Sequence, residues 1–430
     1  MNTNTYEFLH NTFGISEKVL DIIGEAENEV SEYFGKLDDI MTYNQYKVLD
    51  SFQKNGICDR HFAWNTGYGY DDAGRDAVER VFADIFHAEA ALVRPTIVNG
   101  THALGLALMG VLRPGDHMIY CTGGPYDTLE EVIGIRGEGM GSLKEYGVTY
   151  DQVELKEDGS IDLEAVAKAL KPETRMVCVQ RATGYGWRKA ITIEAIQEWV
   201  EYVKKIRPEI ICMTDNCYGE FLHIKEPTDV GVDIMAGSLI KNPGGGLALT
   251  GGYVAGRADL IEKVSYRMTV PGVGGECGLT FGQNRTVLQG LFLSPRTADS
   301  AVKGAVLCAK VFEMLGFDVC PKPEDTRSDI IQAISLGSAE AVTAFCKGIQ
   351  AAAPIDSNVA PIPVDTPGYE DPVIMAAGAF VQGSSIELSA DAPMREPYNI
   401  YFQGGLTYEH SKFGVIKALQ ELVDSGIVSI

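Results

Sequence analysis

Lys241 follows Ser238-Leu239-Ile240, and Asp215 stands upstream at the end of an apolar run, Ile210-Ile211-Cys212-Met213-Thr214. An amine and an acid placed after successive apolar strands suit pyridoxal 5'-phosphate (PLP). The amine links to the cofactor's aldehyde, and the acid keeps the pyridine nitrogen protonated so that the ring draws electrons. The phosphate needs a seat of its own. The turn Asn99-Gly100-Thr101-His102 follows another apolar run and opens a helical stretch. It offers backbone N–H groups, a hydroxyl and a helix dipole to an anion. Ser238, just before Lys241, adds a second hydroxyl. Tyr126, after Gly123-Gly124-Pro125, falls at the carboxyl edge of the predicted sheet, where cofactors of open α/β folds bind. Its ring can stack on a pyridine. Each feature alone has an ordinary use as a turn, a capping acid or a loop anchor. What sets them apart is their shared placement after successive strands, in one chain direction.

The elements that must hold these residues are legible as apolar runs alternating with amphipathic stretches. Strands are expected at 91–94, 117–121, 176–180, 210–214, 234–237 and 247–255, with helices at 75–86, 103–112, 163–170 and 193–205. Such alternation means a mostly parallel sheet covered on both faces, an α/β fold. Four segments follow: a helical N-terminal stretch over 1–60, capped at Ser16, a large α/β domain over 61–280, a long helical connection over 281–326, and a smaller α+β domain over 327–430. In the last, strands are expected at 329–335, 373–380, 386–388 and 399–403, and 353–370 reads as a mobile loop. The run Gly244-Gly245-Gly246 lacks the Lys-Ser/Thr of a nucleotide loop and reads as flexible backbone beside Lys241.

Bulk properties narrow the function classes. The 430 residues carry a formal net charge of −23, which disfavours nucleic acid and anionic membrane as partners. Nine scattered cysteines without a C-x-x-C pair suggest reduced thiols in a cytoplasmic protein. The N-terminal residues have no signal-peptide pattern, and no apolar run reaches membrane-spanning length. His102 and His223 lie apart from any Cys or acid cluster at ligand spacing, so no metal site is expected. No Gly-x-Ser-x-Gly elbow points to a serine hydrolase.

Five stretches carry a resemblance: Gly67-Tyr68-Gly69-Tyr70-Asp71-Asp72-Ala73-Gly74-Arg75, Val98-Asn99-Gly100-Thr101-His102-Ala103-Leu104, Gln180-Arg181-Ala182-Thr183-Gly184-Tyr185, Thr214-Asp215-Asn216-Cys217-Tyr218-Gly219-Glu220 and Ser238-Leu239-Ile240-Lys241-Asn242-Pro243-Gly244-Gly245-Gly246. Over nearly its whole length the chain resembles the fold type I (aspartate aminotransferase-like) PLP enzymes of cysteine and methionine metabolism. Within them it is most similar to the methionine γ-lyase-like branch, also called aluminium resistance proteins. The resemblance implies that Lys241 is the cofactor lysine and Asp215 the partner of the pyridine nitrogen. Gly100, Thr101, His102 and Ser238 would surround the phosphate, and Tyr126 would stack on the ring and protonate a leaving sulfur. Tyr68 would cross to a neighbouring subunit, which implies at least a homodimer, and often a tetramer in this family.

The chain also departs from the family pattern. Tyr70 stands where an arginine is expected. The asparagine that contacts the phenolic oxygen is missing, with Arg181 or Tyr185 in its neighbourhood. Tyr401 replaces the arginine that binds the substrate carboxylate, leaving Arg395 as the nearest replacement. The implied activity is a PLP-dependent carbon–sulfur lyase, like cystathionine β-lyase or methionine γ-lyase, giving thiol, keto acid and ammonia. The alternatives are an aminotransferase or other amino acid lyase, or a weakly catalytic PLP-binding protein linked to metal tolerance.

Overall fold

The computed structural model describes residues 1–366 and 371–430. Its contacts divide into two compact units: Thr42–Gly184 with Ala190–Pro295, and Met1–Met41 with Tyr185–Lys189 and Arg296–Ile430. The N-terminal stretch is helical at Thr3–Phe13 and Glu17–Lys54, and the Ser16 hydroxyl accepts from the amide of Val19 at 3.4 Å.

The first unit holds a seven-stranded sheet of β1 (Ala90–Arg94), β2 (His117–Tyr120), β3 (Thr149–Gln152), β4 (Thr174–Gln180), β5 (Ile211–Asp215), β6 (Ile234–Ser238) and β7 (Gly252–Gly256). Their order is β1-β7-β6-β5-β4-β2-β3, and only β7 runs against the others. β4 to β7 are almost wholly buried. Near-continuous apolar sequence is what a sheet covered on both faces requires. The helix Gly100–Val111 packs Leu104, Ala107 and Leu108 into a core with Met176, Met213 and Val254. Each fully buried Leu or Met contributes about 1.5–3 kcal/mol.

The strand expected at 247–255 begins later, at Gly252. The reason also corrects the expectation of flexibility for the glycine run. A Cβ on Gly244 would lie 1.7 Å from the Leu239 carbonyl oxygen, and one on Gly245 2.2 Å from the Gly290 oxygen. Residues 244 and 245 are glycine because two backbones touch there. Gly245 also has a φ of 52°, and its amide bonds the Asn242 carbonyl. The loop beside Lys241 is thereby a packed turn.

The second unit carries an antiparallel sheet of β8 (Val319–Cys320), β9 (Ile331–Ser335), β10 (Val373–Ala377), β11 (Ser389–Pro393) and β12 (Asn399–Gln403), in the order β10-β11-β12-β9-β8. No strand forms at 386–388. There the Glu387 carboxylate holds the amides of Phe380 and Val381, and the Ile386 carbonyl takes the amide of Gly405. The strand lies just after it, in Ser389-Ala390-Asp391-Ala392-Pro393, whose low β propensity hides it. The segment expected to be a mobile loop, 353–370, ends in residues 367–370, which lie outside the described residues. The helix Ala339–Ala352 and the helix Tyr408–Asp424 pack together, with Phe345, Ile349, Val415 and Leu419 in one core with Ile400 and Phe402.

Within this sheet, burial pushes the Asp391 carboxyl up to about 7, opposed by a hydrogen bond from the Gln403 amide at 2.9 Å. An acid whose folded-state pKa is raised stabilises fully below its unfolded value near pH 4, and the contribution is lost as the pH climbs to about 7. Asp391→Asn should therefore stabilise the protein at about pH 8. Asp391 keeps some exposure, so we expect about 1–2 kcal/mol, below the ~4 kcal/mol of the unscreened shift. Urea denaturation at both ends of this window checks it. An equal gain at pH 4 and pH 8 would contradict the assignment.

Candidate active site

The parallel register aligns the carboxyl ends of neighbouring strands: Gln180 on β4 faces Asp215 on β5, and Asp215 faces Ala236 on β6. Asp215 is buried, and its Oδ1 accepts the Cys217 amide at 3.1 Å. Burial pushes its carboxyl up, while Lys241 and that amide pull it back. The chain then makes a tight turn in which Tyr218 and Phe221 have φ of 70° and 67°. Non-glycine residues at such angles are uncommon, and the strain gathers at functional sites. The Tyr218 ring lies under Lys241, with Nζ 4.0 Å from its centroid.

The loop carrying Lys241 is locked to that turn. The Asn242 side-chain amide donates to the carbonyls of Tyr218 and Glu220, both at 3.0 Å, and the Ser294 hydroxyl donates to the Pro243 carbonyl at 2.7 Å. Burial disfavours charge on Lys241, but Cys217, Tyr218, Asp215 and Glu220 outweigh it and hold the amine well above its ordinary range. Among the described residues, no cluster of His, Cys, Asp and Glu could hold a metal.

The anion seat forms where the helix Gly100–Val111 begins. Asn99 caps it by accepting the His102 amide at 2.8 Å. The His102 ring folds back on the same turn, its Nδ1 bonding the Val98 amide at 3.1 Å. Gly100 lies against two site residues: a Cβ there would be 3.3 Å from Ser238 Cβ and 3.4 Å from Cys217 Sγ. A side chain there would be tight against Ser238, so the small glycine lets this helix end lie close to both the acid's turn and the strand leading to Lys241. The Thr101 hydroxyl is 2.6 Å from that of Thr128, in the helix Asp127–Ile133 that starts directly after Tyr126. The Tyr126 ring lies beside β4's exit, since a Cβ on Gly184 would be 3.4 Å from Tyr126 Cδ2. Gly100 and Ser238 thus meet beside the turn that follows Asp215, with Lys241 on the loop after Ser238, while Tyr126 lies at the exit of β4.

Arg181 is fully buried. Its Nη1 donates to Asn216 Oδ1 at 2.7 Å and lies 3.7 Å from the Glu226 carboxylate, directly under Gly219. The guanidinium thereby supports the turn after Asp215. Tyr68 and Tyr70 are 71 % and 60 % exposed, their rings stacked at 5.4 Å. In the other unit, Arg395 is half exposed and pairs with Asp371 at 2.9 Å. Tyr401 is buried, its hydroxyl donating to the Tyr185 carbonyl at 2.5 Å. Residues that sequence reasoning passed over are Tyr218, Glu220 and Tyr253. Glu220 had a signal: an acid inside the otherwise apolar run Tyr218-Gly219-Glu220-Phe221-Leu222.

A mostly parallel seven-stranded sheet with a small antiparallel domain is the architecture of PLP-dependent type I enzymes. The PLP-dependent protein YhfS of Escherichia coli shares it, with a TM-score of 0.61 at 18 % identity over 90 % of this chain and 97 % of that one. The chain belongs to the methionine gamma-lyase family, whose model matches residues 19–423. It is 49 % identical to the uncharacterized protein YnbB of Bacillus subtilis (strain 168), over 94 % of this chain and 96 % of that protein. A crystal structure from Clostridium novyi NT, described as a carbon-sulfur lyase involved in aluminum resistance, superposes with a TM-score of 0.94 at 54 % identity, covering 98 % of this chain and all of that one. The resemblance carried by the five motifs holds for family and fold. Among the described residues, no helix is long and apolar enough to cross a membrane.

Proposed function

We propose that the chain is a PLP-dependent carbon–sulfur lyase acting on a sulfur-containing amino acid. The observation that carries this is the meeting of a buried acid (Asp215), an amine on the next strand's loop (Lys241) and a helix N-terminus pressed against Ser238. The residues fit the cofactor by type: an acid for a pyridine nitrogen, an amine for an aldehyde, and N–H and hydroxyl donors for a phosphate. When bound, the cofactor supplies an electron sink that makes a substrate Cα–H acidic. Asp215 holds a proton at the ring nitrogen. Lys241 Nζ anchors the cofactor, then acts as the base that takes the Cα proton. Gly100, Thr101 and Ser238 would hold the phosphate. Tyr126 stacks, and its hydroxyl gives a proton to the departing sulfur. Arg395 serves as the fork for the substrate carboxylate, which must compete with Asp371 for it.

The exposed pair Tyr68 and Tyr70, flanked by exposed Trp64 and Phe281, supports a homodimer in which Tyr68 reaches the partner's phosphate site. Visible absorbance of the purified protein, titrated with cysteine, cystathionine, methionine and alanine, tests the whole reading. We expect a yellow band that responds to a sulfur amino acid with release of keto acid and thiol. A band indifferent to every amino acid would remove the lyase activity and leave only cofactor binding.

A further inference from the structure

The helices Gly100–Val111 and Asp127–Ile133 start side by side. Thr101 is the second residue of the first and Thr128 the second of the other, and their hydroxyl oxygens stand 2.6 Å apart. One turn further on, Gly105 and Val132 continue the same seam, since a Cβ on Gly105 would lie 3.5 Å from Val132 Cγ1. Leu129 and Ile133 share a core with Leu104 and Leu108. Helix packing, and not the two hydroxyls alone, therefore sets their separation. The proposed function uses Thr101 and leaves Thr128 without a role.

A threonine hydroxyl has a single proton to give and two lone pairs with which to accept. At 2.6 Å the two oxygens share a short O–H···O bond, of which only one is the donor. If Thr101 gives its proton to Thr128, it meets an anion with lone pairs only, and two negative ends face each other. If Thr128 donates, the Thr101 proton is left for the anion, and the bond that Thr101 accepts makes it a better donor. The charge of a phosphate favours the second arrangement. Thr128 also lies two residues after Tyr126, whose carbonyl accepts the Leu129 amide at 2.8 Å. The same hydroxyl bond thus ties the turn carrying Tyr126 to the anion seat.

We propose that Thr128 is a positioning residue of the anion seat: its hydroxyl donates to Thr101 Oγ1 and so turns the Thr101 proton toward the cofactor phosphate. The inference rests on the reading of Gly100, Thr101 and Ser238 as that seat and adds a residue to it. No covalent bond changes; only the direction of two hydroxyl protons is set. Thr128 acts through Thr101 and makes no phosphate contact of its own.

The test measures binding of PLP and of pyridoxal, by visible absorbance, to full-length protein stripped of cofactor. Pyridoxal lacks the phosphate and so reads the rest of the site without the seat. Thr128→Val keeps the branched shape and removes the hydroxyl; it should bind PLP about fivefold more weakly and pyridoxal as the parent does. Thr128→Ser should restore PLP affinity to within about twofold. Thr101→Val should lose about tenfold, because it removes a bond to a charged group. The double variant should be no weaker than Thr101→Val, since Thr128 then has nothing to orient. A loss of about fiftyfold in the double variant, the product of two independent contacts, overturns the proposal. Parent-like PLP binding by Thr128→Val overturns it too, as does weakened pyridoxal binding, which marks a general disturbance of the fold. Should Thr128→Val not fold, Thr128→Ala carries the same comparisons. A parent that holds PLP no tighter than pyridoxal defeats the phosphate seat itself, and the Thr128 role with it.

Discussion

Lys241→Ala abolishes turnover, with a loss of at least about 10⁴-fold, and removes the yellow absorbance of the purified protein. The expectation follows from what surrounds the amine. Tyr218 supports Nζ at 4.0 Å, Asn242 fixes the loop to the turn, and four acidic neighbours set its charge. No other lysine in the described residues is placed against Asp215 in this way, so alanine leaves neither an anchor nor a base. The fold should survive, because the loop is held by the contacts of Asn242, Pro243, Gly244 and Gly245 and not by the lysine itself. Thermal denaturation and keto acid release, measured on the same preparation, separate the two effects. Substantial lyase activity in folded Lys241→Ala would refute the proposed mechanism.

Asp215→Asn comes next in size, with an expected loss of about 10³-fold in kcat, or about 4 kcal/mol of barrier. A neutral amide cannot hold a proton on a pyridine nitrogen, so the electron sink is weakened where it is needed. The fold should be little disturbed, because the carbonyl oxygen of asparagine can still accept the Cys217 amide that now bonds Asp215 Oδ1. The variant should bind PLP yet turn over slowly, so that kcat falls far more than cofactor affinity. Wild-type kcat in this variant would mean that Asp215 serves only to cap its strand.

The two replacements read different parts of one device. β5 and β6 are neighbours in register, and their carboxyl ends deliver an acid and an amine to the same small volume. The tight turn at residues 216–221 and the packed glycine turn after Lys241 keep both ends from drifting. Arg181, Asn216 and Glu226 support the turn from below through buried polar contacts. Such a network is costly unless it is well paired, and it gives a rigid seat when it is.

The sequence by itself determined the class of fold and marked the residues expected to do chemistry. Buried parallel strands must be continuously apolar, and that pattern is visible in 176–180, 210–214 and 234–237 without any coordinates. Asp215, Lys241 and the Gly100 turn stood out because each follows such a run. Glycines were harder to interpret. Gly244 and Gly245 looked like flexibility and are instead a contact between backbones, a matter of which segment lies opposite. The strand at Ser389–Pro393 was hidden because its register with β10 and β12, and not its composition, makes it a strand. Only the tertiary structure could bring Glu220 against Tyr253 of β7, or fold Arg181 beneath the Asp215 turn. The physical reason is the same in each case. Periodicity records which side of an element is buried, whereas charge coupling and close packing depend on partners far away in the chain.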